Sequence, residues 1–252
     1  MRLLLVSDIH GNLEALEACL DSAPEHDSVA NLGDVVGYGA SPNQVIDLVR
    51  EMAPINVRGN HDRCCCGMVD LSNFNPVAAA AALWTRSKLS DFNLDWLIGL
   101  PRGPRRDAAW EGAQFVHGSP LGEDDYISSE FSANAALEGT SSRLTFFGHT
   151  HIQCAFTRPR RLAEPLPLER LNSASRAQVS RLKLNPAQQY LVNPGSVGQP
   201  RDRDRRAAFA LYDSKKHEIR FYRVPYDIKR AQERILQAGL PEMLATRLAD
   251  GR

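Results

Sequence analysis

The chain has 252 residues, 43% of them hydrophobic and 24% charged, enough to bury a substantial core. Its 30 basic and 30 acidic side chains cancel, so no global field draws it to nucleic acid or an anionic membrane, and an acidic substrate needs a local site. No run approaches the roughly 18 apolar residues of a membrane span. The N-terminal apolar run is also too short for a signal peptide, so no membrane partner and a cytoplasmic location are expected.

Leu3–Val6 reads as a buried strand that ends in Ser7, Asp8, Ile9, His10, Gly11 and Asn12. Leu13, Leu16, Cys19 and Leu20 then recur at helical spacing, and SVANLGD (28–34) reads as a second strand. Ser41, Pro42 and Gln44 mark a helix start with a capping box, and Val45, Leu48, Val49 and Met52 form its apolar stripe. INVRGN (55–60) is a third strand, so the β-α-β-α-β order predicts parallel pairing. Residues 75–100 read as helices. QFVHGS (114–119) and LTFFGHTH (144–151) are short strands ending in histidine.

Further strands are predicted around Gln189–Val192, Ala208–Tyr212 and Glu218–Arg223, followed by a C-terminal helical segment over about 226–252. No repeat or linker divides the chain, which predicts one domain over 1–252. Residues 158–186 carry seven basic and two acidic side chains. They read as a solvated hairpin or loop, with a phosphate-facing flap as the alternative. The five cysteines lack paired spacing, which excludes a disulfide framework and a C-x-x-C zinc site. Cys64–Cys66 read as small packing residues at a helix start, with redox chemistry the alternative.

Five strand ends deliver metal-ligand residue types: Asp8 and His10, Asp34, Asn60 and His61, His117, then His149 and His151. Ligands gather outside the carboxyl ends of α/β strands, so these residues can meet in one crevice. Imidazole with carboxylate favours manganese, iron, cobalt, nickel or zinc over calcium or magnesium. Two divalent ions would leave the two aspartates short of charge, which calls for an anionic substrate. No Walker A motif, G-x-S-x-G elbow or dinucleotide fingerprint is present. Arg63 is a candidate anion contact; NPGSVGQPR reads as a structural turn, with Asn193 and Ser196 as hydrogen-bonding partners near the metals and Arg201 as an anion contact the alternative. Tyr38, Trp84 and Tyr126 can pack in the core or stack on a leaving group, and Asp124 and Asp125 read as loop formers.

D-x-H at Asp8–His10, GD at Gly33–Asp34, GNHD at Gly59–Asp62, the isolated His117 and GHTH at Gly148–His151 resemble the calcineurin-like metallophosphoesterase superfamily. GDVVGYG, VHGSP and NPGSVGQPR are similar to its small bacterial and archaeal branch, which extends the resemblance to about residue 225. The resemblance implies a four-layer α/β/β/α sandwich with two mixed β-sheets. It also implies two divalent ions, one held by Asp8, His10 and His151 and the other by Asn60, His117 and His149, with Asp34 bridging. A metal-bridging hydroxide would attack the phosphate ester in line. His61 would protonate the leaving oxygen, and Asp62 would orient an imidazole or a water.

The implied substrate is a small phosphomonoester, phosphodiester or dinucleoside polyphosphate. Two alternatives stay open: a nuclease, disfavoured by the zero net charge, and a metal-loaded binding protein without turnover. The oligomeric state is not set by the sequence.

Overall fold

The computed structural model describes residues 1–72, 75–159, 161–171 and 177–252. Strand β1 (Arg2–Val6), helix α1 (Leu13–Ser22), β2 (Ser28–Asn31), α2 (Pro42–Met52) and β3 (Ile55–Asn56) follow the predicted alternation. Both strand pairings within this unit are parallel. Helices α3 (Asn60–Cys65), α4 (Pro76–Lys88) and α5 (Asp91–Ile98) come next, and β4 (Ala113–Phe115), α6 (Glu130–Glu138) and β5 (Leu144–Phe146) begin a second sheet. Then come β6 (Cys154–Thr157), β7 (Glu164–Pro165), β8 (Glu169–Leu171), β9 (Gln178–Lys183), β10 (Tyr190–Asn193), β11 (Ala207–Asp213) and β12 (Glu218–Val224). Helices α7 (Ile228–Gln237) and α8 (Glu242–Asp250) close the chain.

The strands form a seven-stranded sheet in the order β3-β2-β1-β11-β12-β9-β8 and a five-stranded sheet in the order β4-β5-β10-β6-β7. Both are mixed: β1 pairs parallel with β2 but antiparallel with β11, and β10 pairs parallel with β5 but antiparallel with β6. Strand periodicity explains the layers. Leu4 and Val6 of β1 join Leu16, Cys19, Val45 and Val49 in the core beneath the first helices. Leu3 and Leu5 face the other way and pack with Phe115, Phe146, Tyr190 and Val192 of the second sheet. Leu191 and Phe156 bury the outer face of that sheet against Ala133, Ala136 and Leu137 of α6. The four-layer arrangement therefore follows from two faces of burial on each sheet. Each fully buried Leu or Phe contributes about 1.5–3 kcal/mol.

Two local expectations change, and a third resolves between its alternatives. Ser41 does precede α2, but its hydroxyl makes no capping bond and is buried without a partner among the described residues. Its backbone N–H instead donates to the Gly11 carbonyl at 3.0 Å, which ties the segment to the β1 turn and leaves the expected capping box unformed. The C-terminal segment is a hairpin of two helices, broken at Gly239 in a left-handed conformation (φ +70°). In residues 158–186 the hairpin reading holds and the flap alternative does not: β8 and β9 pair antiparallel and complete the larger sheet, and β7 lies at one edge of the smaller. The described part is thus sheet edge rather than a flap over the site, pinned by the Arg181–Glu169 pair at 2.6 Å. Residues 160 and 172–176 of that stretch lie outside the described residues.

Candidate active site

The turns that follow β1, β2, β4 and β5, together with the start of α3 after β3, meet at one mouth between the sheets. They carry Asp8, His10, Asp34, Asn60, His61, His117, His149 and His151. Five of these residues adopt left-handed backbone conformations: Asp8 (φ 53°), His10 (φ 50°), Asp34 (φ 55°), His149 (φ 66°) and His151 (φ 60°). Each such residue costs about 1–3 kcal/mol, so the surroundings must over-determine it. They do. The N–H of Asp8 donates to the Gly33 carbonyl at 3.0 Å, and that of His10 to the Asp34 carbonyl at 2.9 Å. The Ser196 hydroxyl donates to the Asp8 carbonyl at 2.8 Å. Gly59 must be glycine because a Cβ there would fall on the Asp34 carboxylate.

The side chains sort into two sets that share Asp34. In the first set, His10 Nε2 lies 3.1 Å from His151 Nε2 and 3.6 Å from Asp34 Oδ2, and His151 Nε2 lies 3.3 Å from Asp8 Oδ1. In the second, His117 Nε2 lies 3.1 Å from Asn60 Oδ1, 3.1 Å from His149 Nδ1 and 3.4 Å from Asp34 Oδ2. Within each His/Asp group the facing atoms all lie within 4.8 Å of one another.

Backbone carbonyls hold every imidazole from behind. His10 Nδ1 meets the Val36 carbonyl at 3.3 Å, and His117 Nδ1 meets that of Leu32 at 2.8 Å. His151 Nδ1 meets the Gln199 carbonyl at 2.6 Å, and His149 Nε2 that of Asp124 at 3.2 Å. A carbonyl only accepts, so each of these nitrogens carries a hydrogen; in neutral His10, His149 and His151 the opposite nitrogen turns its lone pair inward, whereas without metal His117 keeps a proton there as well. Two lone pairs facing each other at 3.1 Å repel unless a cation or a proton lies between them. Asp34 Oδ2 is buried and has no hydrogen-bond partner among the described residues, although it sits between both sets. This donor set fits divalent metal ions.

The electrostatics agree. Burial pushes His10, His149 (to about 4) and His151 down, keeping them neutral as ligation requires. Burial also opposes charge on His117, but the Asp34 carboxylate overrides it and lifts His117 to about 10. Asp34 itself, despite burial, is held well below the usual carboxylate range by His117 and His61. Asp8 is pushed up to about 7, chiefly by burial. The pocket therefore attracts positive charge strongly at its centre.

His61 sits beside these sets. Its ring is edge-on to His10 at 4.9 Å between centroids and tilted against Tyr38 at 4.4 Å, and its backbone N–H donates to Asp34 Oδ1 at 2.8 Å. Burial pushes its pKa down, against the pull of Asp34. Asp62 has a different job from the one expected. Its carboxylate accepts from the N–H groups of Gly59 (2.8 Å), Asp34 (2.9 Å) and Val36 (3.2 Å), so it shapes the Asp34 turn rather than orienting an imidazole or water. Burial and the Asp34 charge push it up to about 7 against those donors.

Two of the three candidate substrate contacts are engaged elsewhere. Arg63 pairs with Glu123 at 2.7 Å and Asp124 at 2.5 Å, clamping the loop whose Asp124 carbonyl holds His149. Asn193 is fully buried. Its amide donates to the Gly148 carbonyl (2.8 Å) and Thr150 Oγ1 (3.0 Å) and accepts from the Gly195 N–H (2.8 Å), so it braces the His149–His151 turn. Arg201 remains at the rim, where its charge acts on Asp8, His10, His61 and His151. Tyr126 covers His149 with ring centroids 3.9 Å apart, whereas Trp84 packs beside α7 and α8. The residues missed from sequence are those whose carbonyls accept from the imidazoles, because a backbone acceptor has no signature in the side-chain pattern. Glu123, which gathers Arg58, Arg63 and Arg102, was missed for a similar reason: its partners are distant in the chain.

A family model described as the calcineurin-like phosphoesterase superfamily domain matches residues 1–217. The chain belongs to that superfamily. A curated relative, an uncharacterised protein of Methanocaldococcus jannaschii, is 35% identical, with 98% of this chain and 97% of the relative covered. The crystal structure of a metallophosphoesterase from Sphaerobacter thermophilus is similar at 39% identity and TM-score 0.83, covering 100% of this chain and 99% of that one. A hypothetical protein from Pyrococcus horikoshii shares the fold, at 20% identity and TM-score 0.74, covering 100% and 98%. The phosphoesterase is accordingly a hydrolase of phosphate esters with a buried His/Asp cluster suited to divalent metal. None of its described helices is long and apolar enough to cross a membrane.

Proposed function

We propose that the protein hydrolyses a small phosphate ester at a site for two divalent cations. Asp8, His10 and His151 would hold one, Asn60, His117 and His149 the other, and Asp34 both. The observation that carries this reading is Asp34 Oδ2. It is buried, lacks a hydrogen bond among the described residues, and lies 3.6 Å from an imidazole of one set and 3.4 Å from an imidazole of the other. Such a pair of ions, when bound, supplies concentrated positive charge for the phosphoryl oxygens and makes water acidic enough to attack near neutral pH.

The chain's own residues do the rest. The carbonyl-held imidazoles keep their donor atoms aimed inward at no reorganisation cost. Arg201 draws the substrate phosphate to the rim. His61 protonates the leaving oxygen, and the phosphate charge counteracts the burial that otherwise keeps this ring neutral. Asp62 and Asn193 keep the Asp34 and His149 turns in their left-handed conformations.

The test is direct. Purified protein stripped with a chelator should lose nitrophenol release from nitrophenyl phosphate or its diester, and recover it with manganese or another divalent transition metal. Metal analysis should find two ions per chain. One ion at saturation, or no turnover with any of several metals, would overturn the reading.

A further inference from the structure

Helices α7 and α8 lie outside residues 1–217, the part matched by the superfamily domain, yet they border the candidate site. Arg234 of α7 pairs with the buried Glu14 of α1, which fastens the hairpin to the first sheet's helices. Its apolar face, Ala231, Ile235, Leu244 and Leu248, packs in one cluster with Ala81 of α4 and the partly buried Tyr38. The docking leaves a cleft of about 450 Å³ whose walls include Tyr38, Asn75, Arg201, Met243, Thr246 and Arg247.

Tyr38 is the partition between this cleft and the histidines. Its ring centroid lies 4.7 Å from that of His10 and 4.4 Å from that of His61 on one side, and the Arg247 guanidinium carbon lies 5.8 Å from it. The charges in the cleft do not cancel. Arg201, Arg247 and Arg252 line it with Asp250 as the one acidic side chain, and no acidic side chain lies within ion-pair distance of Arg201 or Arg247 among the described residues. Arg201 Nε is buried with no hydrogen-bond partner among the described residues, while its Nη2 donates to Gln199 Oε1 at 3.2 Å. Arg247 Nε donates to the main-chain oxygen of Arg252 at 2.7 Å, part of the carboxylate at the chain's last residue, which leaves its other nitrogens to face the cleft. Elsewhere the arginines that crowd together share an acid, as Arg58, Arg63 and Arg102 share Glu123. Arg201, which has no acid, repels the Arg247 guanidinium near it, and burial together with Arg201 lowers the Arg247 pKa. An anion between them removes that repulsion.

We propose that this cleft is a substrate subsite supplied by the C-terminal hairpin, in which Arg201 and Arg247 hold a second phosphate next to the one attacked. This rests on the phosphoesterase reading of the adjoining site. A volume near 450 Å³ far exceeds one phosphate and falls within the range for nucleotide-sized ligands. The substrate class is therefore a nucleoside polyphosphate. In its hydrolysis the oxygen of water bonds to the attacked phosphorus as the P–O bond to the neighbouring phosphate breaks. That phosphate leaves with the electron pair, and Arg247 stabilises its charge.

The experiment compares two ligands on the metal-loaded protein by calorimetry: a methylene-bridged adenosine diphosphate analogue, which cannot be cleaved at the bridge, and inorganic phosphate. Arg247→Gln should weaken the analogue about tenfold or more, the usual worth of a charge-assisted hydrogen bond, and leave phosphate unchanged. Arg247→Lys should recover part of the loss, and Lys229→Gln, an equal charge change on the exposed face of α7, should have no effect. Unaltered thermal unfolding separates binding from folding. Equal loss for both ligands, or no loss for either, overturns the subsite. If wild type releases nitrophenol from nitrophenyl phosphate but fails to prefer the analogue over phosphate, the subsite falls while the phosphoesterase reading stands. If it prefers the analogue but hydrolyses nothing, the reading of the metal site falls instead.

Discussion

Two runs of potential metal-binding residues lie buried in this molecule, Asp8–His10 and Cys64–Cys66, and they behave in opposite ways. At the end of β1 each polar atom is aimed. The Asp8 carboxylate accepts from the His149 N–H at 3.1 Å, and His10 is held by the Val36 carbonyl with its other nitrogen turned to His151. The three cysteines close α3, not its start, and sit in the apolar core with Val45, Val49 and Leu97. Burial pushes the Cys64 and Cys66 thiols up to about 12 and Cys65 further, which favours the packing reading over redox chemistry. Burial alone does not make a site. A partner on the far side of each donor does, because it decides which atom faces inward and in what protonation state.

The sharpest way to break this contrast is Asp34→Asn. Nitrogen cannot replace the shared oxygen, so hydrolysis should fall at least about 10⁴-fold, with metal lost from both positions. Two ions retained at full occupancy would remove Asp34 from the centre of the account. His61→Gln comes next, lowering turnover by about 10²–10⁴-fold with metal content intact. Esters whose leaving group needs no proton should suffer less, and equal losses across leaving groups would make His61 a binding residue.

Asn193→Ala tests whether the bracing of the turn matters as much as the ligands. It should weaken metal binding about 10–100-fold and cost about 1–3 kcal/mol of stability, since the Gly148 carbonyl and Thr150 lose a buried partner. Unfolding curves and metal titration together check it, and unchanged affinity would return the turn's conformation to the backbone alone. The smallest effect belongs to the cysteines. Thiols near 12 stay protonated at pH 8, so Cys64, Cys65 and Cys66 should resist a thiol reagent in the native protein and react on unfolding. Cys64→Ala should cost about 1 kcal/mol and leave activity and metal content unchanged. Rapid native labelling, or lost metal, would erase the contrast.

Much of this was legible along the chain. The apolar run at Leu3–Val6, its helical sequel and the two strands after it dictated a parallel unit, because periodicity of burial is written in side-chain types. The recurrence of Asp, Asn and His at strand ends marked the site, because strand polarity sends those ends to a common edge. Arg63 was read as an anion contact and Asp62 as orienting an imidazole or a water, and both prove to brace turns, while Asn193 takes the structural-turn reading rather than its alternative. Residue type shows that a side chain can form hydrogen bonds, but not which neighbour reaches it first.

The sequence by itself thus determined the parallel pairing of the first three strands, the residue types that gather in the cluster and the family. The tertiary structure decided which nitrogen of each histidine faces inward, why five site residues hold left-handed backbones, and which arginines remain without an acidic side chain. Those outcomes depend on carbonyls and carboxylates brought from tens to hundreds of residues away, as Gln199 is to His151 and Asp62 is to Asp34. Hydrogen bonding is short-ranged in space and indifferent to distance along the chain, so only the folded arrangement can settle it.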